Sequence, residues 1–515
     1  MSKTIWIQAN QLGRDNSALG EILRPEGTLL PAQVLMIESI DRSTQYPYQK
    51  RKLVLLFSAM RHFAAELRKR KLTVDYYALL ADGSHHHRSF EDAFRLHIQK
   101  HRPSELVMMD PPDLTQQRAA VNLASSLALP LRFTPNTNFL VDRATFVQEH
   151  RLNKRLPLQA HYRRQRQRFA LLMDGDQPVG GTWSFDANNR KRLPGEQTVP
   201  RPVSFLPDQL TREAIQTVEA LFPQHPGSTA GFDLPVTHSQ AIALVDDFIE
   251  NRLRLFGDYQ DAMAVGEPLL YHSFVSPFLN IGLLSPLHLL KKVEHAYATG
   301  LAPLNAVEGF IRQVLGWREY MYGSYHAFMP LYLKSNYLDA RRKLPSFFWT
   351  GNTDLKCLAE TIAQATRSGY LHHVQRLMVI CNFATLCSIK PSDLLNWFMT
   401  LFLDAYEWVM VPNVLGMGTF ADGGRISTRP YVAGGAYIRK MSDYCARCHF
   451  SVAAKTGPDA CPFNYLYWNF LERNAAKLSG NPRLAAPYRR LQEKPDREKR
   501  AIRESTNDFL KRLSR

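Results

Sequence analysis

The stretch SGYLHHVQRLMVICNFATL, Ser368 to Leu386, decides how the carboxyl-terminal half of this chain is read. Leu371, Val374, Met378 and Cys381 or Phe383 recur at three- and four-residue steps, which predicts a helix opening just after Gly369 with one buried face. His372, His373 and Arg376 sit among them. A fixed charge and two imidazoles on such a helix must be hydrogen-bonded, paired, or set against a ligand. Taken alone, satisfied core histidines at a helix start explain the stretch as well as a ligand site does, so the rest of the chain has to arbitrate.

At 515 residues the chain is too long for one ordinary core, and about 150 residues per domain allows two to four domains. Its 45% hydrophobic and 22% charged content is that of a folded globular protein. No apolar run reaches the ~18 residues of a membrane span, and the start MSKTIWIQANQL resembles neither a signal peptide nor a transit sequence. The expectation is a cytosolic monomer. Lys plus Arg number 64 against 47 Asp plus Glu, a formal net charge of +17, and such a field attracts polyanions, nucleic acid first among them. A basic surface kept for solubility is the alternative.

Residues 1–134 alternate apolar runs with amphipathic segments: strands at Thr4 to Gln8, Val34 to Ile40, Thr73 to Leu80 and Glu105 to Asp110, with a helix over Lys50 to Arg70. Strand, helix, strand at this spacing predicts an α/β domain with a parallel, Rossmann-like sheet. Such sheets bind ligands beyond the carboxyl ends of their strands, which points to Asn10, Glu38 and the turn at Asp110, Pro111 and Pro112. No dinucleotide or P-loop glycine motif is present. His85 to His87 read as a solvated loop.

Residues 135–204 read as an interdomain linker, with a basic, aromatic cluster at His161 to Phe169 and turn formers from Asp174 to Pro194. From 205 to 515 helical periods take over, at Ser239 to Leu255, Pro286 to Thr299, Asn305 to Tyr325, Leu355 to Thr366 and Pro391 to Leu403. With no repeat visible, they predict one large all-α domain. Arg483 to Arg515 reads as a solvent-facing terminal helix. Six cysteines are too few and too uneven for a disulfide framework. Cys445 and Cys448 form C-x-x-C, Cys461 follows, and Cys357 lies upstream; four thiolates suit zinc or an iron-sulfur cluster, and spacing alone does not separate the two. Cys381 and Cys387 read as small core residues.

The helical half carries, in order, FGDYQDAM (Phe256 to Met263), HSFVSPFLNIGLLSP (His272 to Pro286), FIRQVLGWREYMYG (Phe310 to Gly323), the HHVQR helix and DAYEWVMVPNVLGMGTFADGG (Asp404 to Gly424). Through these motifs the sequence resembles the photolyase and cryptochrome family over nearly its full length. The resemblance implies an α/β antenna domain followed by an all-helical domain holding FAD, with Tyr259, His272, Ser273, Val275, Ser276, Gln313, Trp317, Arg318, His372, Arg376, Asp404 and Tyr406 as cofactor-binding residues. Ser273 and Ser276 would face the FAD phosphates. Arg376 and Asp404 match the family's buried ion pair beside the isoalloxazine ring.

With this resemblance the four cysteines look like the [4Fe-4S] ligands of the iron-sulfur bacterial cryptochromes and prokaryotic (6-4) photolyases. His373 then falls on the histidine implicated as proton donor in (6-4) photoproduct repair; Leu377 stands where the animal (6-4) enzymes have a second histidine, and Gln313 where cyclobutane-dimer photolyases tend to have a glutamate. Met410 replaces an asparagine common near flavin N5. Tyr431 would line the lesion pocket, and Arg163, Arg164 and Arg192 would hold phosphates of UV-damaged DNA. Trp397, Trp349 and Tyr437 match an electron route to the flavin, and Phe398 replaces a redox-active tyrosine. The resemblance further implies a 6,7-dimethyl-8-ribityllumazine antenna near Asn10 and Glu38, and a divalent cation, Mg2+, near Asp186 and Asp261. A light-driven repair lyase is the leading expectation, a blue-light photoreceptor with the same cofactors the alternative.

Overall fold

The computed structural model describes residues 3–22, 31–85, 87–152, 157–195 and 198–513; His86 of the histidine loop lies outside them. Five parallel strands, β1 (Lys3–Trp6), β2 (Ala32–Ile37), β3 (Thr73–Tyr77), β4 (Glu105–Met109) and β5 (Leu131–Thr134), stand in the order β3-β2-β1-β4-β5. Ile5 lies opposite Val34 on one side and Val107 on the other. The four expected strands are present, each ending earlier than the apolar run suggests. The fifth was not expected: LRFT is only four residues long and only half buried along most of its length.

Strand side chains alternate between two faces. Trp6, Leu35, Ile37, Leu106 and Met108 pack under the helices Phe90–His101 and Leu114–Ser126 as a separate small core. Ile5, Val34, Met36, Val107 and Met109 face the other way and merge with the core of the helical half. The helix Lys50–Lys69 lies between, and its first turn is driven into the helical half: the Gln49 N–H donates to the Thr400 carbonyl at 2.8 Å. The motif glycine Gly282 has its role here. At φ +87° it approaches Gly13 so closely that a Cβ would stand 2.7 Å from the Gly13 nitrogen, beside the 2.9 Å bond from Leu12 N–H to the Ile281 carbonyl.

Two expectations need correction. The segment expected as a linker contains the helices Arg143–Leu152 and Leu158–Phe169, which pack on Glu319–Phe328 and on Arg312–Arg318. Its helical period was hidden by arginines, of which Arg166 is itself buried, bonded through Nε to the Leu171 carbonyl at 3.1 Å. The terminal segment is also not simply solvent-facing: Asp496–Leu513 docks on Pro462–Arg473 through Ile502, Phe509 and Leu510.

Beyond the sheet and a two-residue hairpin, regular structure among the described residues is helical, with three isolated bridges. The opening stretch also differs from its reading. Gly369, at φ +67°, ends the preceding helix Lys356–Ser368, and the next begins at His373, continues as a π segment Gln375–Cys381 and finishes as Asn382–Leu386. Leu377 to Leu386 is buried all round, so this is a core helix without a solvent stripe. Two further π segments, Arg312–Arg318 and Val411–Gly418, occur on motif-bearing stretches, where such distortions often mark functional sites.

Candidate active site and cofactor-binding residues

Asp404, in the turn after the helix Pro391–Leu401, is the hub of the helical half. Its carboxylate accepts the two terminal amino groups of Arg376 at 3.0 and 3.1 Å and the Ser276 hydroxyl at 2.7 Å. Arg376 also donates from Nε to the Leu371 carbonyl at 2.7 Å, and its guanidinium lies 4.2 Å over the Phe402 ring. The side chains of Arg376 and Asp404 retain only 14% and 9% exposure. The segment leading into Ser276 bends through Leu270 at φ +47° and Phe274 at φ +60°, strained for side chains of that size and typical of ligand clamps. Ser273 is half-buried and Val275 buried. Lys52 arrives from the α/β half, donating to the Ala405 carbonyl at 2.6 Å with its ammonium 4.9 Å from the Tyr406 ring centre. Burial pushes its pKa down to about 8, against the pull of Asp404 and Asp113.

Three histidines gather beside this hub. His372 is buried and stacks on His272 with ring centres 4.5 Å apart and planes 11° from parallel. His272 Nε2 meets the Gln260 carbonyl at 3.1 Å, while neither ring nitrogen of His372 has a partner. Burial holds both neutral, His272 pushed down to about 4 and His372 well below the ordinary value, with neighbouring charges adding to the effect. His373 differs in being exposed, and it lies close enough to Arg376 to feel the guanidinium charge. Desolvation, then the Arg376 charge, push it down to about 4. Gln375 fixes the turn by accepting the His372 N–H at 3.2 Å and donating to Gln364 at 2.9 Å and to the Tyr444 hydroxyl at 3.0 Å. Orphaned atoms on His372 and on the buried Tyr406 hydroxyl are what a polar cofactor bound beside this hub would satisfy.

Of the WREY motif, Trp317 and Gln313 on the same π segment are half-buried, but the charged pair holds the domains together. Arg318 donates to the Asn138 carbonyl and to Glu319, both at 2.9 Å, and lies 4.4 Å over Phe139. Glu319 accepts the backbone N–H groups of Leu140 and Val141 at 2.7 and 3.0 Å.

Asp186, Asp261, Tyr431 and Tyr437 share one electrostatic neighbourhood with Arg190. Asp186 is tied to Arg190 and to Arg312 at 3.1 Å, so its charge is already matched; Asp261 is largely buried, which raises it to about 6. Arg164 pairs with Glu149 at 2.8 Å, whereas Arg163, 4.7 Å over Trp183, and Arg192 are exposed. Tyr259 packs on Tyr271 with centres 5.6 Å apart.

Trp397 is fully buried, donates its indole N–H to the Phe348 carbonyl at 2.8 Å, and stands 5.6 Å from Phe402, the ring beneath Arg376. Trp349 is 47% exposed, next in sequence to Phe348. This row runs from the hub to the surface; Tyr437 is placed with Asp261 and Arg190 instead. Phe398 and Met410 are buried.

Cys357, Cys445, Cys448 and Cys461 line one small cavity together with Leu355, Ile438 and Phe463. Burial and mutual repulsion raise the thiols, Cys445 to about 11 and Cys461 to about 12, so charged thiolates there require a compensating metal. Tetrahedral zinc with bonds of about 2.3 Å sets sulfurs about 3.8 Å apart. Among the described residues no three of these sulfurs lie within 4.8 Å of one another; only Asp75, His97 and His101 bring three ligand atoms that close. The donor set is all sulfur, of the kind that holds a metal or an iron-sulfur cluster, and without one it is spaced more widely than tetrahedral zinc. Cys381 and Cys387 are buried elsewhere in the core.

At the carboxyl ends of the strands, Asn10 and Glu38 part company. Asn10 is buried with Oδ1 unpartnered. Glu38 is saturated: Oε1 accepts Arg61 Nε at 2.8 Å and the Tyr76 hydroxyl at 2.6 Å, Oε2 accepts Arg61 Nη2 and Leu79 N–H, each at 2.8 Å. Its side chain is 0% exposed and each oxygen accepts two hydrogen bonds from protein. Sequence reasoning missed the interdomain set beside it. Asp113 accepts the Trp408 N–H at 2.8 Å, Glu407 accepts the Tyr325 hydroxyl at 2.9 Å, and burial, reinforced by the Glu407 charge, raises Asp113. An aspartate and glutamate 294 positions apart carry no shared signal in one sequence; only Asp113, just after Pro111 and Pro112 at the strand end, was near a flagged turn.

The family described as Deoxyribodipyrimidine photo-lyase-related protein matches residues 5–234. Over 513 residues, 100% of both chains, the sequence is 39% identical to the (6-4) photolyase of Agrobacterium fabrum. In fold it is similar to a bacterial class III photolyase from Agrobacterium tumefaciens (TM-score 0.54, 15% identity, 99% of this chain and 98% of that one) and to the cryptochrome of Synechocystis sp. PCC6803 (TM-score 0.56, 15% identity, 85% and 88%). With the parallel sheet, the helical half and the full-length identity together, the chain belongs to the photolyase and cryptochrome family, alongside the bacterial (6-4) photolyases.

Proposed function

We propose that this protein is a light-dependent DNA lyase that repairs (6-4) pyrimidine-pyrimidone photoproducts in UV-damaged DNA. One feature carries the reading: of three clustered histidines only His373 is exposed, and it stands within the field of Arg376, the partner of Asp404. The residues around that pair would hold FAD, whose reduced form would supply the light-driven one-electron chemistry of the reaction.

The chain's own part is to orient, desolvate and protonate. Arg376 and Asp404 fix each other, and a planar cation there favours an anionic ligand. His373 hands a proton to the lesion. Neutral in the free protein, it becomes a better acid carrier once phosphates enter, because nearby negative charge raises an imidazole pKa. Tyr431 lines the entrance for a flipped-out dinucleotide, while exposed Arg163 and Arg192 meet backbone phosphates. Trp397 and Trp349 form a route by which the cofactor is reduced. Cys357, Cys445, Cys448 and Cys461 hold a [4Fe-4S] cluster, Asn10 contacts a lumazine antenna, and Asp261, beside Asp186, receives Mg2+ that accompanies the DNA.

Illuminating the reduced protein with an oligonucleotide bearing a (6-4) lesion tests this. Restored thymines support it; tight binding with no restoration favours a photoreceptor.

A further inference from the structure

The α/β half carries a group of metal-type donors, Asp75, His97 and His101, that the proposed function does not use. His97 and His101 stand four positions apart on the helix Phe90–His101, hence on one face of it, and the edge strand β3 presents Asp75 to that face. Asp75 Oδ2 lies 2.7 Å from His97 Nδ1 and 3.1 Å from His101 Nε2, and the three atoms all fall within 4.8 Å of one another. We propose that His97 Nδ1, His101 Nε2 and Asp75 Oδ2 form a zinc site that clamps the edge strand to its covering helix, with water as fourth ligand.

Four features fit a cation here. The donor set, two imidazoles and one carboxylate on a helix and a facing strand, is of the kind zinc takes, with bonds of about 2.0–2.2 Å; ligand atoms then stand about 3.4 Å apart, a small outward adjustment from the spacing present. The outer contacts are those of an oriented site. His97 is fully buried and its second nitrogen, Nε2, meets the Thr4 hydroxyl at 2.9 Å, while Lys100 holds the other oxygen of Asp75, Oδ1, at 3.1 Å. His101 is the last residue of its helix, so an ion there faces the negative end of the helix dipole. Finally, His101 and Asp75 keep 16% and 15% side-chain exposure, leaving an approach for the ion and its water.

The protons can be rearranged without leaving a gap. In the metal-free arrangement His97 gives its Nδ1 proton to Asp75 and accepts from Thr4. On binding, that proton moves to Nε2 and is donated to the Thr4 hydroxyl, which turns from donor to acceptor, and His101 shifts its proton to Nδ1 in the same way. No net proton is released and no redox change occurs. The competing account is an aspartate that binds no metal: its Oδ2 accepts two imidazole N–H groups and, at 3.2 Å, the Tyr77 hydroxyl, while Lys100 at Oδ1 matches its charge.

Equilibrium dialysis of tag-free, chelator-washed holoprotein against Zn2+, with iron counted in the same samples, decides between them. The expected result is one zinc per chain in addition to unchanged iron, at least tenfold weaker in both His101→Ala and Asp75→Asn and unchanged in His85→Ala. Zinc should also raise the melting temperature of the wild type and not that of His101→Ala, and Co2+ in its place should give a spectrum without thiolate charge-transfer bands. No stoichiometric zinc, equal binding by His101→Ala, or loss on His85→Ala overturns the proposal.

Discussion

Replacing Asp404 by Asn tests the hub. The substitution keeps the shape but leaves the Arg376 guanidinium, 14% exposed, without its counter-charge and sets an amide N–H against one of the donors now bonded at 2.7 to 3.1 Å. Breaking a buried pair on one side costs about 3–5 kcal/mol. The lower end applies because both side chains keep some contact with solvent, so the expectation is about 3 kcal/mol. At roughly 2–4 °C per kcal/mol for a large domain, the melting temperature falls by about 6–12 °C at fixed scan rate. The single variant does not separate the pair from ordinary packing, so the assay is a cycle with Arg376→Met and the double variant. If the two groups act on each other, the double variant is less damaged than the sum of the singles, by a coupling of about 1–3 kcal/mol. Flavin retained after gel filtration, read by absorbance, should fall in both single variants. Additive losses, with flavin retained in both, would refute the assignment of this pair as the hub.

His373→Ala should bind lesion DNA as the wild type does and lose repair, and in the wild type the repair rate should fall with rising pH on a limb whose apparent pKa lies above the value of about 4 in the free protein; a flat profile, or a variant that repairs normally, removes the proton-donor role. Buried histidines predict a separate effect on stability: His272 and His161, held down to about 4 and about 3, are neutral when folded but take up protons below about 6.5 when unfolded, so stability is full above pH 6.5 and declines toward pH 4, by up to about 1.4 kcal/mol per pH unit for each. Denaturant melts at pH 7.5, 6 and 5 read this directly, and a midpoint that rises on acidification contradicts it. Glu38→Gln should destabilise the protein by about 3 kcal/mol, because Arg61 is left buried against an amide, while any antenna absorbance per folded chain persists; unchanged stability with lost absorbance would place Glu38 at the antenna site. Cys445→Ser should lose iron and acid-labile sulfide, whereas Cys387→Ser, buried elsewhere, should keep both.

What could be read without coordinates were the local and periodic features. Alternating apolar runs near Ile5, Val34 and Val107 give strands because a sheet buried on both faces needs apolar side chains on both, and their spacing makes them parallel, whereas the strand order is seen only in the structure. The C-x-x-C pair, Arg376, His372 and His373 were legible because their chemistry is unusual for the stretches that hold them, while Asp404 and His272 were legible only through the resemblance to the family. Capping and burial were not. Gly369 reads as a helix start but closes the previous helix, since its positive φ is decided by Leu403 packing against it. Glu38 reads as a ligand at a strand end, and the fold makes it the anchor of Arg61 and Tyr76, because saturation of a carboxylate depends on which donors the fold delivers. Lys52 beneath Tyr406, Asp113 beside Glu407, and Asp75 against His97 and His101 join residues from separate elements, and chain order carries no record of such meetings. Sequence alone determined the layers and the kinds of chemistry available; tertiary structure decided which polar groups are already satisfied by protein and which are left unsatisfied, because hydrogen-bond capacity is consumed by neighbours in space.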